Sequence, residues 1–386
     1  MNSFNFYNPT QIIYGNNKIE VVGEKVNEYT KTKNVLLVIS ESCKRNGSLE
    51  IIKSQLVKNK INYFVFDGIV SNPNMNSISN AKLIIKHNNI DFVLAIGGAS
   101  VVDTAKTICV ASANNKDIWH LICNPSEIKS AIDLGVVITL YGSGTEMTNG
   151  AVITNLKIPK KRGFDSVYMY PKFSIIDPSL LRSVTKDYLM IGATDMLTHV
   201  LEQYFEISNN DNLSDPYLEL LSKQIINEIY RFKDDTQNND NLFWLSTLAQ
   251  NNFLTFGKQN NGEWIAHIIS HEFCLKYNFP HGRVVAVLFL AWLRYIKAIN
   301  TKRIVNFGSK VLDLTNPSAD EVINCLEQIF VSLGNETNFK SMGVKEKDLN
   351  DIIVNSINGK KLGKFKEITE NDVKKIVYEG YYNGYL

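Results

Sequence analysis

The sequence predicts an α/β domain built on a parallel sheet, followed by an all-helical domain. In the first half, short apolar runs alternate with helical segments, and strands that are apolar on both faces are typical of parallel sheets with helical crossovers. From about Tyr188 onward the segments are long and follow a helical period, with few strand signals. The chain has 386 residues, which is too many for one ordinary core. We therefore expect an α/β domain over residues 1–185 and a helical domain over residues 186–386.

The strands of the first half are predicted from apolar runs, most of them followed by segments with helical spacing. The predicted strands are NVLLVIS (34–40), NYFVFDG (62–68), DFVLAIGG (91–98), LGVVITL (134–140) and KFSIIDP (172–178). The predicted helical segments are GSLEIIKSQLVKNK (47–60), the later part of SNPNMNSISNAKLIIKHNN (71–89) and VVDTAKTICVASA (101–113). The second half contains longer helical segments, DYLMIGATDMLTHVLEQYFE (187–206), DPYLELLSKQIINEIYRF (215–232), NLFWLSTLAQNNFLTF (241–256), GEWIAHIISHEFCLKY (262–277) and GRVVAVLFLAWLRYIKAI (282–299).

Composition narrows the function classes. A net charge of +2 with interspersed signs gives no electrostatic footprint for nucleic acid. The five cysteines form no C-x-x-C pair, which argues against a disulfide framework or a cysteine-built zinc site and fits a reducing compartment. No signal peptide is visible, and no apolar run reaches the roughly 18 residues of a membrane span. We therefore expect a cytoplasmic protein with neither a nucleic-acid nor a membrane partner.

Two glycine-rich stretches follow predicted strands. In AIGGASVVDTAK (95–106), backbone amides at the start of a helix could hold a phosphate, and the candidate cradle comprises Gly97, Gly98, Ala99 and Ser100. The stretch is neither G-x-G-x-x-G nor a P-loop, so a tight turn without a ligand is an alternative. TLYGSGTEMTNGAVIT (139–154) follows the next strand, and loops after neighbouring parallel strands line one crevice. Together they indicate a long, phosphate-bearing ligand; an ordinary surface loop is the alternative for the second stretch.

Histidine and aspartate spacing in the second half suggests a metal site. Asp195 and His199 are four residues apart on a strongly amphipathic segment, so they share one helical face. His267 and His271 have the same spacing, and His281 follows a break at Pro280. Taken alone, either pair could be structural, with the aspartate as a helix cap and the histidines as hydrogen-bonded core residues. The H-x-x-x-H spacing also differs from the H-E-x-x-H motif of metalloproteases. However, four of the six histidines lie between 199 and 281, which makes coincidence a poor explanation.

These motifs resemble the iron-containing, group III alcohol dehydrogenases, and within them the butanol dehydrogenase and broad-substrate aldehyde reductase branch. The similarity runs nearly end to end, through FNFYNPTQIIYG, SNPN, GGASVVDTAK, TLYGSGTEMTNGAVIT, IIDPSLL, ATDMLTHVLEQY and WIAHIISHEFCLKYNFPHG. The resemblance implies the dehydroquinate-synthase-like fold, with an N-terminal Rossmann-like, dinucleotide-binding domain and a C-terminal helical, metal-binding domain. It also implies NAD(P)-linked chemistry on small alcohols and aldehydes, and a homodimer formed through the N-terminal strands.

The resemblance assigns roles to individual positions. It implies that a metal is held by Asp195, His199, His267 and His281, whereas His271 lines the substrate pocket and relays protons. Gly97, Gly98 and Ser100 match the pyrophosphate loop, and Ala99 stands where the family usually has a third glycine. That methyl group would be tolerated unless the position needs a positive φ. Further cofactor-binding positions are Asn72, Asp103, Thr139, Leu140, Ser143, Thr148 and Lys161.

Glu41 bears on the choice between NAD(H) and NADP(H). It lies in ISESCKRNG (39–47), at the end of the predicted strand NVLLVIS. A carboxylate there would repel a 2′-phosphate and could accept hydrogen bonds from a ribose diol. We therefore expect NAD(H) to be preferred over NADP(H); the alternative is that Glu41 points into solvent.

The donor set and the surrounding residues bound the chemistry. One carboxylate and three imidazoles, with no thiolate, suit Fe²⁺, Zn²⁺, Ni²⁺ or Mn²⁺, and the resemblance favours Fe²⁺. An ion held in this way would act as a Lewis acid on an alcohol or aldehyde oxygen. Three alternatives remain, namely a lyase of the dehydroquinate synthase type, a glycerol-type polyol dehydrogenase and a non-catalytic structural relative. The aromatic segments FCLKYNF and NNFLTFG favour a small, butanol-like substrate over a polyol.

Overall fold

The computed structural model describes residues 3–69, 75, 78–206, 213–234, 240–251, 253–255, 258, 261–357 and 362–384. The chain forms two compact units. One unit comprises Tyr7–Thr185. The other comprises Lys186–Leu386 together with the N-terminal segment that ends at Phe6. In this second unit the ring of Phe6 packs edge-on against Phe253.

The first unit is built on a parallel sheet. Its strands are β1 (Gln11–Tyr14), β2 (Asn34–Ile39), β3 (Asn62–Phe66), β4 (Phe92–Gly97), β5 (Asp133–Ile138), β6 (Gly150–Asn155), β7 (Lys160–Asp165) and β8 (Phe173–Ile176). Six of them form one sheet in the order β1-β8-β5-β4-β2-β3, and every pairing in it is parallel. All of β4 and nearly all of β2 are buried, which explains why both strands read as continuous apolar runs. The predicted parallel sheet is thus confirmed.

The helices of this unit connect the strands. They are α1 (Val22–Tyr29), α2 (Glu41–Arg45), α3 (Ser48–Lys58), α4 (Ile78–His87), α5 (Ala99–Ala113) and α6 (Ile118–Cys123). From β2 the chain moves to β3 on one side and then to β4, on the other side of β2. The carboxyl ends of β2 and β4 therefore flank a topological switch point, which is where open α/β sheets bind ligands.

The hairpin β6–β7 is antiparallel and was not among the strands expected from the sequence. Gly150 pairs with Asp165 at its open end, and Asn155 with Lys160 beside the turn. Its second strand reads KKRGFD, which has little of the apolar or alternating pattern that marks a strand. Pairing with β6, rather than intrinsic preference, makes this segment a strand.

The second unit is helical in its described residues, as the sequence predicts. Its helices are α7 (Lys186–Tyr204), α8 (Ser214–Asp234), α9 (Asp240–Ala249), α10 (Ile265–Tyr277), α11 (His281–Val311), α12 (Ala319–Ser332), α13 (Leu349–Ile357) and α14 (Glu370–Tyr382). Helix α11 packs against α7, α10, α12 and α14. It is long and apolar enough to cross a membrane, but 67% of its most apolar window is buried in the structure, which is the pattern of a core helix.

Helices α10 and α11 are separated by a short, sharply turned connection. Trp264 adopts a left-handed conformation (φ 59°), so α10 begins at Ile265 rather than at the start of the helical pattern. Asn278 is also left-handed (φ 54°) and ends the helix. Pro280 then precedes α11, whose first residue is His281. The break expected at Pro280 is confirmed. The turn brings the ring of His281 close to that of His267, with 5.1 Å between their centroids.

Candidate metal centre and nucleotide loops

Three side chains from three helices converge in the helical unit. Asp195 on α7, His267 on α10 and His281 on α11 each offer one ligand atom, and these atoms all lie within 4.8 Å of one another. Asp195 Oδ1 is 3.6 Å from His281 Nε2 and 3.9 Å from His267 Nε2. Metal–ligand bonds of about 2.1 Å in a tetrahedron place ligand atoms about 3.4 Å apart, so these spacings are close to those of a shared ion.

His199 and His271 lie beside this group. The ring of His199 stacks on that of His267 with 4.6 Å between centroids, and Trp264 packs edge-on against both rings. His271 is half-buried, and its ring centroid is 6.3 Å from that of His281. The predicted metal ligands and the predicted proton relay are therefore in one neighbourhood, with three of them in the tight group.

Glu202 on α7 contacts His267 on the side of the imidazole ring opposite the ligand group. It is fully buried, its Oε2 contacts His267 Nδ1, and its Oε1 accepts a hydrogen bond from the Ala266 amide at 2.9 Å. His267 Nε2 is buried and makes no hydrogen bond. Burial alone would lower the pKa of His267, but the Glu202 and Asp195 carboxylates raise it above its usual range.

Ser270 orients His281 in a similar way. Its hydroxyl donates to the His267 carbonyl at 2.6 Å and lies 3.2 Å from His281 Nδ1. Because the hydroxyl proton is already used, the serine oxygen can accept a hydrogen bond from Nδ1–H of His281. His281 then carries its proton on Nδ1, and the lone pair of Nε2 faces Asp195.

Gly282 allows α11 to approach α7 closely. A Cβ atom at this position would lie 2.5 Å from the backbone oxygen of Ile191 and 3.4 Å from the amide nitrogen of Asp195. Only a residue without a side chain permits this approach, which brings His281 within reach of Asp195 on the neighbouring helix.

The donor set fits a divalent d-block ion. His267 presents a buried lone-pair nitrogen toward a buried carboxylate, and the available atoms are nitrogen and oxygen without sulfur. Asp195 and Glu202 flank His267 where water is largely excluded, so a cation would offset negative charge that is costly to bury.

In the α/β unit, the loop after β4 lies at the switch point. A Cβ atom on Gly97 would come within 2.6 Å of Val101, so glycine is required there, whereas Gly98 has room. No side chain of the N-cap residue Gly98 caps the start of α5, and a helix N-terminus favours an anion. Ala99 is the first residue of α5 and is not among the residues with positive φ, so its methyl group causes no backbone strain.

Asp103 and Lys106 join α5 to the loop after β5. Asp103 is half-buried, and its carboxylate accepts hydrogen bonds from Thr145 Oγ1 at 2.8 Å and from the Val152 amide at 2.9 Å. Lys106 Nζ is fully buried and donates to the carbonyl oxygens of Thr145, Thr148 and Gly150. Burial lowers the pKa of Lys106 to about 8 against the opposing effect of Asp103, and burial raises the pKa of Asp103.

The other predicted cofactor positions surround the same loops. The Thr139 amide donates to the Gly97 carbonyl at 3.0 Å, and the side chain of Leu140 faces Gly98. Ser143 accepts a hydrogen bond from the Thr145 amide. Lys161 pairs with Thr154 in the hairpin. Asn72 lies outside the described residues.

Glu41 begins α2, directly after β2. Its carboxylate is exposed and forms an ion pair with Lys44 at 2.9 Å, and Lys44 also pairs with Asp67 at 2.6 Å. The Asp67 and Glu41 carboxylates raise the pKa of Lys44. Since β2 pairs with β4, Glu41 and the glycine loop follow neighbouring strands.

Sequence reasoning missed Glu202, Ser270, Gly282 and Lys106. Glu202 had a signal, because an acidic residue three positions after His199 interrupts an otherwise apolar helical face. Lys106 is likewise a charged residue within a buried helix. Ser270 and Gly282 gave no comparable signal, since their roles depend on which helix lies opposite. The aromatic residues of FCLKYNF serve packing, with Phe273 stacked on Phe339 and Tyr277 on Phe279.

Comparisons with known proteins show the family of the chain. The family model for iron-containing alcohol dehydrogenases matches residues 9–178, and that for the C-terminal region of the Fe-containing alcohol dehydrogenase family matches residues 190–381. The chain is 32% identical to the probable NADH-dependent butanol dehydrogenase 1 of Bacillus subtilis, over 98% of this chain and 99% of that protein. It is 26% identical to the NADPH-dependent aldehyde reductase YqhD of Escherichia coli, over 98% of this chain and 99% of that protein. The crystal structure of NADH-dependent butanol dehydrogenase A from Thermotoga maritima matches with a TM-score of 0.93 at 29% identity, covering 99% of both chains.

Proposed function

The chain belongs to the iron-containing alcohol dehydrogenases, and on that premise we propose that it interconverts small primary alcohols and aldehydes at a metal ion held by Asp195, His199, His267 and His281. It is an NAD(P)-dependent alcohol dehydrogenase and aldehyde reductase. The observation that carries the proposal for the site is the convergence of Asp195, His267 and His281 from three helices.

The side chains divide the work between binding and proton transfer. A bound divalent ion supplies Lewis acidity toward the substrate oxygen, and the nicotinamide supplies or accepts the hydride. His271 lies one helical turn from His267 and near His281, and imidazole is the side chain best suited to exchange protons near pH 7. We assign His271 as the proton relay, and His267 and His281 as metal ligands.

Fe²⁺ is the proposed native metal, and NAD(H) the proposed cofactor. The oxygen and nitrogen donors accept Fe²⁺, Zn²⁺ or Ni²⁺, and the family match favours iron. The Glu41 carboxylate would repel a 2′-phosphate, and Lys44 beside it is already engaged by Glu41 and Asp67. The Bacillus subtilis and Clostridium acetobutylicum relatives are named as NADH-dependent. Gly97, Gly98, Ala99 and Ser100 would hold the pyrophosphate, while Asp103 would act by holding the loop that carries Thr145.

A homodimer formed through β1 is part of the proposal. This strand pairs with β8 on one side and is the edge of the sheet on the other. Gln11 and Gly15 donate their amides toward β8, so the alternate amide of Ile12 points to the opposite side of the strand. Ile12→Pro would remove one outward amide while leaving the bonds to β8, and it should shift the light-scattering mass from dimer to monomer. A mass that stays that of a dimer would contradict this interface.

A butanol-like substrate and a cytoplasmic location complete the proposal. The names of the relatives support the substrate, and five free thiols support a reducing compartment.

The test is NADH consumption by metal-depleted protein, assayed with butanal before and after Fe²⁺ or Zn²⁺ is added. We expect activity to return with the metal, and to be higher with butanal than with glyceraldehyde. Activity that is unaffected by depletion would contradict the proposed site, and a preference for glyceraldehyde would favour a polyol dehydrogenase.

A further inference from the structure

We propose that Glu202 is a positioning residue that fixes the tautomer of His267 and supplies the second negative charge of the metal site. The inference rests on the proposed function, since it assumes that His267 binds a metal. Glu202 lies on α7 seven residues after Asp195, so α7 carries both the carboxylate in the ligand group and the carboxylate behind the histidine.

The hydrogen bonds around Glu202 are compatible with one tautomer of the neutral His267 imidazole. The Ala266 amide is an obligatory donor and occupies Glu202 Oε1, so Oε2 is left for the imidazole. An ionised carboxylate only accepts hydrogen bonds, so His267 must present Nδ1–H to it. In the neutral ring the lone pair is then on Nε2, the nitrogen that faces Asp195.

Charge balance gives the same carboxylate a second role. With neutral imidazoles, Asp195 leaves a divalent ion with one uncompensated positive charge. Glu202 is fully buried, and its contact with His267 places the matching negative charge one imidazole ring away. Such an outer carboxylate increases the basicity of a ligating histidine, and its loss typically lowers metal affinity about 10- to 100-fold.

Two substitutions separate this role from simple packing. Glu202→Gln keeps the size of the side chain. The glutamine amide, however, has one acceptor oxygen, which cannot serve both the Ala266 amide and His267 Nδ1–H. If the amide oxygen remains on the Ala266 amide, its NH₂ group faces His267 Nδ1, which favours the tautomer with the proton on Nε2 and blocks metal binding. Glu202→Asp is shorter and leaves a small void, but it keeps an ionised acceptor. A packing role predicts that Gln is the better replacement, whereas tautomer and charge control predicts that Asp is better.

The matched control is Glu206→Gln. Glu206 is also fully buried and lies four residues after Glu202, just past the C-terminal end of α7, so its substitution removes a comparable buried carboxylate. Glu202, however, is the carboxylate that contacts His267.

The experiment is titration of each metal-free protein with Co²⁺, followed by its visible absorption and by chelator competition, with neither substrate nor cofactor present. We expect Glu202→Gln to bind Co²⁺ about 10- to 100-fold more weakly than the wild type, Glu202→Asp to recover part of the loss, and Glu206→Gln to bind normally. Far-ultraviolet circular dichroism and the melting temperature of the metal-free proteins establish that each variant is folded.

The possible failures are distinguishable. Unchanged Co²⁺ affinity in Glu202→Gln, or better binding by Gln than by Asp, overturns the role of Glu202 but leaves the metal site standing. Equal losses in Glu202→Gln and Glu206→Gln overturn it in favour of a general effect of buried charge. A wild-type protein that binds no Co²⁺ overturns both the metal site and this inference.

Discussion

His281 Nε2 lies 3.6 Å from Asp195 Oδ1, although the two residues are on different helices and far apart in sequence. The contact exists because α11 approaches the backbone of α7 at Gly282, beside the first residue of the helix. The geometry of the ligand group is therefore set by helix packing as well as by the ligands themselves.

Gly282→Ala should weaken metal binding although no ligand is changed. The new Cβ would lie 2.5 Å from the Ile191 backbone oxygen, and a backbone atom cannot move aside cheaply. Overpacking of this kind costs about 1–3 kcal/mol, more than the roughly 1 kcal/mol that alanine gains over glycine in a helix. If the strain is relieved by separating α11 from α7, metal affinity should fall by roughly 5- to 150-fold.

The control for this substitution is Gly163→Ala. A Cβ atom at Gly163 would have its nearest neighbour, Val152, at 3.7 Å, which is an ordinary contact. Metal affinity can be measured for both variants by chelator competition. Equal affinities of Gly282→Ala and the wild type would show that the close approach of the helices is not needed for the site.

His267→Ala and His271→Ala should have different effects. His267 is in the ligand group, so its loss should release the metal, whereas His271→Ala should retain the metal, lower kcat and change the dependence of kcat on pH. His87→Ala, at an exposed position that ends α4, is the control. Metal analysis and pH profiles together test this division, and equal metal loss in the first two variants would refute it.

Glu41→Ala should improve the use of NADPH. Removing the carboxylate removes repulsion of a 2′-phosphate, and it also frees Lys44 from one of its two partners. We expect the ratio of kcat/KM for NADPH over NADH to rise about tenfold or more, which corresponds to about 1.4 kcal/mol. Glu50→Ala breaks a similar ion pair, with Lys53, on α3 and should leave the ratio unchanged. A wild-type enzyme that already prefers NADPH would contradict the role given to Glu41.

Glu263 should make the stability of the metal-free protein depend on pH. Burial raises the pKa of Glu263 to about 7, against the opposing amides of Phe365 and Lys364, and with smaller contributions from Glu202 and Glu206. The native state therefore binds a proton more tightly than the unfolded chain, whose glutamate pKa is about 4.5. This contribution to stability is complete below the unfolded pKa and is lost as pH rises through about 7.

The corresponding variant is Glu263→Gln, studied by thermal unfolding between about pH 5 and 8.5. The wild type should lose up to about 3 kcal/mol of stability across this range through Glu263, and the variant should show a flatter profile. Glu321→Gln is the control, because hydrogen bonds from the Ser318 amide and hydroxyl hold the pKa of Glu321 below its usual value, away from the range studied. Parallel profiles for Glu263→Gln and the wild type would exclude this effect.

Much of the fold follows from local sequence pattern. The runs around Leu36 and Leu94 are buried on both faces, so their composition alone indicated central parallel strands. The hairpin containing Lys161 could not be recognised in this way, because a polar segment becomes a strand only through its partner. The first turn of α10 was also misplaced, since nothing in the composition indicates that Trp264 is left-handed.

The residues of the candidate site that could be predicted are those whose side-chain type is itself typical of metal ligands. Histidines and an aspartate at helical spacing indicated His267 and Asp195. The surrounding residues were less accessible, because Ser270 and Gly282 acquire their roles only from the residues that pack against them. Asp103 illustrates the same limit, since both of its oxygens are used by the protein itself.

The most direct test of the account is anomalous diffraction at the iron edge from crystals of the protein loaded with Fe²⁺. We expect one strong peak about 2.1 Å from Asp195 Oδ1, His267 Nε2 and His281 Nε2, with a nitrogen of His199 as the fourth ligand. A peak elsewhere in the molecule, or none between these side chains in protein that oxidises NADH with butanal, would contradict the proposed metal centre.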